Sequence, residues 1–138
     1  MKGRHHGWAY ATAQRCLDLT IRWTRARQAF GTRLADNPVI RHKLAEMARQ
    51  TDVAREHTRA VARRFAVGED VTREAAMAKN TAVYACQSVV HQAVQIHGGM
   101  GVMRESEVER HYRDARILGI GGGISEIMND VIAERLGL

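Results

Sequence analysis

The chain has 138 residues, and its hydrophobic content of 45%, its charged content of 26% and its single proline are typical of an ordered globular protein. The formal net charge is +6, but the basic residues are spread along the sequence and do not form one basic arm. We therefore expect no nucleic-acid partner, whereas phosphate-bearing small molecules are compatible with this charge.

The sequence carries no marker of a secreted or membrane-embedded protein. No segment approaches the roughly 18 consecutive apolar residues of a membrane-spanning helix, and residues 1–7 do not resemble a signal peptide. The two cysteines, Cys16 and Cys86, fit neither a disulfide framework nor a zinc spacing, so we expect both to be buried in the core. We therefore predict no membrane span and a cytoplasmic location.

Two long helices are predicted in the first part of the chain. Apolar residues at helical spacing run from about Gly7 to Ala29, and residues 30–31 end this helix. Asn37 followed by Pro38 supplies an N-cap and a first helical position for a second helix of about 30 residues, which Gly68 ends. The apolar face of the second helix consists of Ile40, Leu44, Met47, Thr51, Ala54, Thr58, Val61 and Phe65.

Three further helices are predicted in the second part. The third begins near Val71 with Thr72 as its cap, and it ends at Gly98. A short, strongly charged fourth helix spans Ser106–Arg116, and a fifth helix spans Ser125–Leu136. Small residues on one face of the third helix allow close packing; they are Ala75, Ala78, Ala82, Ala85, Val89, Gln92 or Ala93, and Ile96.

No segment shows the alternating pattern of a β-strand, so we predict an all-α fold. Three long helices, a short charged helix and a terminal helix indicate an antiparallel four-helix-type bundle, with residues 1–138 forming a single domain. We expect no metal centre, because a di-iron bundle requires Glu-x-x-His and the spacing from Glu107 to His111 is one residue too long. The His5-His6 pair is interpreted as part of a frayed terminus.

Two glycine-rich segments are candidates for ligand binding. The run Gly119–Gly123 lacks the third glycine of a dinucleotide-binding motif, but it leads into a helix N-terminus that favours an anion or a ring carbonyl; a flexible connector is the alternative. Gln95 and the glycines after the third helix form the second candidate, with a plain C-cap and turn as the alternative. We expect a positive φ at Gly99, where a β-branched residue would be unfavourable.

The segment Gln95–Asp114 carries a family resemblance. Within these 20 residues, eight positions at fixed spacing resemble the C-terminal signature of acyl-CoA dehydrogenases. Two further motifs of that family have similar segments here, in the family's order. The first is Arg27–Gly31 with Leu34 and Lys43–Ala48, and the second is Arg113–Ile117 with Gly123 and Ser125–Ile127. The resemblance covers essentially the whole chain and implies the family's C-terminal four-helix domain. The eight positions are Gln95, Gly98, Gly99, Gly101, Val102, Glu105, Arg110 and Asp114.

The resemblance implies FAD-dependent oxidation of the α,β bond of an acyl-CoA thioester. In that reaction a carboxylate removes the α-proton while a hydride passes to the flavin. The resemblance places Arg27 against the FAD pyrophosphate, in keeping with the fit between a guanidinium and a phosphate. It places Phe30 near the adenosine half of FAD, and it implies that Gln95, Gly98 and Gly99 contact the adenosine end across a dimer interface.

The resemblance also places Ser125 and Glu126 near FAD, at a helix N-terminus. The catalytic carboxylate of the family is missing at both of its known positions, because Gly122 occupies the common one and the alternative one falls near Met1. Ile124 stands where the family usually has a threonine. We therefore expect no catalytic residue in this chain.

The family's N-terminal helical domain and middle β domain have no counterpart in these 138 residues, so we predict that the isolated chain is inactive. Acyl-CoA is expected as a substrate only in a complete enzyme. The implied partner is a second copy of this chain or a chain that carries the missing domains. The main interpretation is thus the FAD-contacting and oligomerising domain of an acyl-CoA dehydrogenase. The alternative is a non-catalytic helical module that assembles or binds after loss of the base.

Overall fold

The computed structural model describes the backbone of residues 4–138 and the side chains of residues 7–138. Five α-helices dominate it, which confirms the predicted all-α class. The predicted alternative base position near Met1 and the side chains of His5 and His6 lie outside the described residues. The helices are α1 (Arg4–Ala26), α2 (Pro38–Ala66), α3 (Thr72–His97), α4 (Glu107–Ala115) and α5 (Ser125–Arg135).

A small β-hairpin joins α1 to α2, where the sequence predicted the end of a helix. Strand β1 (Gln28–Ala29) pairs antiparallel with β2 (Thr32–Arg33), so α1 ends at Ala26, earlier than predicted. Phe30 and Gly31 form the turn with φ values of +52° and +81°, and positive φ at both central residues is what a type I′ hairpin turn requires. The prediction missed the hairpin because phenylalanine is not a typical residue of such turns.

The starts of the two longest helices are fixed by different side chains. The predicted N-cap of α2 is confirmed, because the Asn37 side chain accepts a 2.9 Å hydrogen bond from the Val39 N–H. The predicted cap of α3 is wrong. Thr72 is already helical, and the Asp70 carboxylate accepts hydrogen bonds from its N–H at 3.0 Å and its hydroxyl at 2.7 Å. The side chain of Asp70, two positions before Thr72, therefore stabilises the start of α3.

The first three helices run up, down and up. The rings of Trp23 and His97 stack with their centroids 5.1 Å apart, so α1 and α3 end at the same end of the bundle. α2 packs against both helices and reaches α3 through the short connection 67–71, so it runs antiparallel to them. This arrangement confirms the predicted antiparallel bundle.

α5 completes the bundle along α3. Near its start, Asn129 accepts a 2.9 Å hydrogen bond from Asn80, and near its end Arg135 forms a 3.1 Å ion pair with Asp70. Since Asp70 precedes Asn80 in the sequence, α5 runs antiparallel to α3.

α3 lies at the centre and is buried on more than the one face that the sequence predicted. The predicted small residues from Ala78 to Ile96 are buried, apart from the partly exposed Gln92. The predicted face of α2 is correct except for Phe65, which is 65% exposed. α3 packs against four other helices, so it buries a second set of side chains. These are Ala76, Lys79, Asn80, Val83, Cys86 and Val90.

Cys16 and Cys86 are fully buried between α1 and α3, which confirms their predicted place in the core. Burial raises the pKa of each thiol to about 12. Such thiols stay protonated and act as small apolar side chains.

The fourth helix is tied to the first by an ion pair. Arg15 on α1 donates two hydrogen bonds to the Glu107 carboxylate, at 2.7 and 2.9 Å, and His111 lies 3.2 Å from the same carboxylate. Val108, the next residue of α4, is buried. Glu107 is therefore a tether and not simply part of the solvated face that the charge pattern indicated.

The described residues form neither a membrane-spanning helix nor a cluster of metal ligands. None of the described helices combines the length and the apolar character needed to cross a bilayer. Within residues whose side chains the structure describes, no three His, Cys, Asp or Glu side chains converge as a metal site would require.

Candidate functional site

A groove opens at the end of the bundle where α1 and α3 terminate together. Its volume is about 610 Å³. It brings together Arg27, Gly98 and Gly99, three of the residues that the sequence marked as candidates. The groove is lined by Trp23, Arg27, Leu34, Ile96, His97, Gly98, Gly99, Met100 and Met103.

Arg27 offers a cationic group to this groove. Its guanidinium carbon lies 5.9 Å from the centroid of the Trp23 ring, a distance at which a cation is attracted to the ring face. None of the carboxylates that the structure describes forms an ion pair with Arg27. The five N–H groups of the guanidinium are thus available to an anion in the groove.

The stacked pair of Trp23 and His97 supplies further polar atoms, and the sequence analysis missed both residues. The indole Nε1 of Trp23 is buried and lacks a hydrogen-bond partner among the described residues. The Nδ1 atom of His97 donates to the Ala93 carbonyl at 2.7 Å, and burial lowers the pKa of His97. A neutral imidazole with a proton on Nδ1 leaves Nε2 as an acceptor.

The glycines after α3 have three different roles. Gly98 has φ +60° and ψ −137°, a backbone conformation that residues with a side chain rarely adopt. Gly99 is not at positive φ, so the expectation at that position was wrong, and a Cβ atom there would meet nothing within 4 Å. At Gly101 a Cβ atom would collide with the Val94 carbonyl oxygen, so this glycine allows the turn to pack on α3.

Two other candidates lie beside the groove without lining it. Phe30 sits at the tip of the hairpin and is fully exposed. Gln95 lies on the exposed side of the last turn of α3, where its carbonyl accepts a hydrogen bond from the Gly98 N–H. Neither side chain therefore lines the groove, and their predicted roles stay predictions.

Ser125 and Glu126 lie in a different region. They begin α5, and the Ser125 carbonyl accepts a hydrogen bond from Asn80 on α3. Asn80 and Gly98 are separated by about 27 Å along α3 at 1.5 Å per residue. One copy of the chain therefore does not bring Ser125 and Glu126 into the groove with Arg27.

The residues that precede α5 form a tight segment, here called the glycine turn (residues 119–124). Gly122 and Gly123 have φ values of +72° and +105°. Ile124 stands at the N-cap and supplies no capping side chain, so the first N–H groups of α5 have no intrahelical partner. Gly122, at the position where the resemblance expects a catalytic carboxylate, is exposed.

Comparison with known proteins assigns this architecture to a family. Residues 3–137 match the family model described as acyl-CoA dehydrogenase, C-terminal domain. The chain belongs to the acyl-CoA dehydrogenase family. Its predicted resemblance is thereby confirmed, and so is its assignment to the C-terminal helical domain.

Individual relatives agree with this assignment. The human short-chain specific acyl-CoA dehydrogenase of mitochondria is 45% identical over 132 residues, which make up 93% of this chain and 31% of that protein. The crystal structure of a probable acyl-CoA dehydrogenase from Mycobacterium abscessus matches with a TM-score of 0.96 and 65% identity, over 96% of this chain and 35% of that one. Butyryl-CoA dehydrogenase from Megasphaera elsdenii matches with a TM-score of 0.95 and 33% identity, over 97% and 35%.

The chain spans about a third of the length of the curated relatives that it matches. This acyl-CoA dehydrogenase domain thus corresponds to one part of a larger architecture. The roles assigned to the individual site residues, from Arg27 to Glu126, stay predictions.

Proposed function

We propose that this chain is the FAD-contacting and self-associating domain of an acyl-CoA dehydrogenase. The groove at the ends of α1 and α3 carries the proposal, because it gathers an unpaired guanidinium, a buried unpaired indole N–H and an open glycine backbone. These groups suit a ligand that combines phosphates with a flat ring system. FAD is such a ligand, and the acyl-CoA dehydrogenases are FAD-dependent.

The residues of the groove divide the work of holding FAD. Arg27 binds the pyrophosphate, since a guanidinium fork matches two phosphate oxygens. Gly98 and Gly99 admit the adenosine end close to the backbone because neither bears a side chain. Trp23 and His97 offer one donor and one acceptor to its polar edge. When bound, FAD supplies the hydride acceptor for oxidation of the acyl thioester.

The separation of the two candidate regions supports assembly of two copies. Ser125, Glu126 and the start of α5 meet FAD in one subunit, while the groove of a second subunit holds the adenosine end. Four isoleucines around the glycine turn and α5 are exposed, from 38% at Ile124 to 58% at Ile117. Exposed apolar side chains of this kind favour association. They are Ile117, Ile120, Ile124 and Ile127.

The complete reaction is proposed for the larger protein and not for this chain alone. Acyl-CoA binds only when this domain is combined with the domains that make up the rest of the related proteins. The complete protein acts in the cytoplasm. The α-proton is then removed by a carboxylate outside the described residues. Gly122 stands at the common position of the catalytic base and has no carboxylate.

A second candidate function is a non-catalytic helical module. The observation that favours it is Gly122 itself, whose φ of +72° is unfavourable for any L-residue with a side chain. A glutamate at this position would require the turn to change shape. A module of this kind would assemble through its helices and bind no flavin.

Titration of the purified chain with FAD, followed by flavin fluorescence and by sedimentation, separates the two candidates. We expect FAD to bind to an oligomer of the chain. Replacing Arg27 with alanine should weaken binding about tenfold or more, since it removes hydrogen bonds to a charged group. Arg25→Ala is the matched control, because this exposed arginine on the last turn of α1 does not line the groove. An oligomer that binds no FAD would favour the non-catalytic module.

A further inference from the structure

Lys79 lies in the interior of the bundle. Its side chain is only 2% exposed, and its Nζ donates a hydrogen bond to the carbonyl oxygen of Gly123, 44 residues further along the chain. No described carboxylate forms an ion pair with it. Lysine is rarely buried without a carboxylate partner, so the burial of Lys79 against the glycine turn calls for an explanation.

Asn80 makes the same connection from the next position on α3. It is 5% exposed, and its side-chain amide donates to the Ser125 carbonyl at 3.0 Å and to the Asn129 side chain at 2.9 Å. Lys79 and Asn80 therefore hold the carbonyl groups on both sides of Ile124. Two adjacent buried residues of α3 fix the end of the glycine turn and the start of α5 together.

The exposure of the held segment follows from these bonds. Gly123 is partly buried and Ser125 is buried, whereas Gly122, Ile124 and Glu126 are exposed. The two residues whose carbonyls are held face α3, whereas Ile124 between them and the residues on either side face outward. The two successive positive φ values at Gly122 and Gly123 permit this path, which L-residues with a Cβ would disfavour.

We propose that Lys79 and Asn80 are positioning residues that act as a latch on the glycine turn. The latch holds position 122 and the unpaired N–H groups at the start of α5 outward in one fixed geometry. It gives the N-terminus of α5 a defined direction, which a loop of consecutive glycines could not maintain by itself. The latch follows from the hydrogen bonds alone, whereas FAD as the group that meets this face rests on the proposed function.

Hydrogen–deuterium exchange on the full chain without flavin tests the latch. Replacing Lys79 with methionine removes the donor while keeping an unbranched side chain. We expect amide exchange in residues 119–128 to accelerate about ten- to hundredfold, with the C-terminal half of α2 unchanged. Lys79→Arg, which keeps the charge and the donors, should restore slower exchange. Lys43→Met on α2 is the matched control. Wild-type exchange of residues 119–128 in Lys79→Met would overturn the latch.

A second measurement requires no variant at Lys79. The sequence contains only three lysines, Lys2, Lys43 and Lys79, so reductive methylation can be followed at each one by peptide mass. We expect Lys79 to react at least about tenfold more slowly than the partly exposed Lys43, because methylation of Lys79 requires the glycine turn to open. Equal rates would overturn the latch. Since neither measurement uses flavin, their failure is distinguishable from a failure of the proposed FAD site.

Discussion

The two ends of α3 are built in opposite ways. At its C-terminal end, the groove leaves polar groups without partners, including the Trp23 indole N–H and the Arg27 guanidinium. Towards its N-terminal end, Lys79 and Asn80 direct their donors to the chain itself. One end therefore retains hydrogen-bond donors for a ligand, and the other uses its donors to fix a backbone segment.

A single helix thus carries unpaired donors at one end and a fixed backbone segment towards the other. Unsatisfied buried donors are costly, so a groove that keeps them gains from a partner that satisfies them. A glycine segment has the opposite problem, because its backbone is too free to hold a direction without added hydrogen bonds. Substitutions at glycines of each end can show whether both descriptions hold.

The largest effect is expected at Gly101. An alanine there would place its Cβ against the Val94 carbonyl oxygen and 3.1 Å from the His97 Cβ. Because the obstacle includes helix backbone, we expect Gly101→Ala to lower the free energy of unfolding by about 2–3 kcal/mol. Urea denaturation followed by circular dichroism measures this value.

Gly99→Ala is the control for that experiment. Its Cβ would meet no atom within 4 Å and its φ is ordinary, so we expect a change within about 0.5 kcal/mol. Equal losses at Gly99 and Gly101 would mean that the turn does not pack on α3 as described.

A smaller effect should distinguish the two ends directly. Gly98 and Gly123 both have positive φ, but an added Cβ meets nothing at Gly98 and lies 2.6 Å from the Met128 Cε at Gly123. We expect Gly98→Ala to cost about 1 kcal/mol from backbone strain and Gly123→Ala about 2 kcal/mol from strain plus contact. Thermal unfolding of both variants measures the difference.

The double variant Gly123→Ala with Met128→Ala sharpens this prediction. Removing the long side chain should remove the contact contribution and leave only the strain, so Gly123→Ala should cost less in the Met128→Ala background than in the wild type. A cost that stays the same in the double variant would show that the glycine turn is not packed against α5.

The sequence predicted the helices better than it predicted the connections between them. Apolar spacing located four of the helices, and glycine-rich segments bounded the short charged fourth one. The Asn37-Pro38 pair located the start of α2, because all these signals are local properties of the sequence. The type I′ hairpin was missed because a phenylalanine at its tip has no local turn preference.

The site was predictable only in part, for a related reason. Motif spacing identified Arg27, Gly98 and Gly99, which the fold brings into one groove. It did not identify Lys79 or Asn80. A polar residue among alanines on a helix is normally exposed, and only the packing of the glycine turn and α5, more than 40 residues away, buries this pair. Contacts of such long range have no signature in a local pattern.

The smallest predicted effect concerns α4, which connects the two ends of α3. An ion pair between Arg15 and Glu107 joins α4 to α1. The hydrogen bond from Arg15, with a smaller contribution from His111, lowers the pKa of Glu107 from its ordinary value of 4.5 to about 2. Because the folded pKa is depressed, the stabilisation is present above about pH 4.5 and is lost as the pH falls towards 2. Glu107→Gln should therefore destabilise the chain at neutral pH.

The size of this effect is limited by solvent. The Arg15 and Glu107 side chains are 46% and 30% exposed, so water screens the pair and we expect a loss below about 1 kcal/mol at pH 7. Urea unfolding at pH 7 and at pH 3 measures it, and the difference between Glu107→Gln and the wild type should shrink at the lower pH. Glu109→Gln is the control, because Glu109 pairs with Arg113 on the same helix and ties no two helices together. If both variants lost the same stability with the same pH dependence, α4 would be held by Val108 and its apolar neighbours alone, and the ion pair would add nothing to the connection between the two ends.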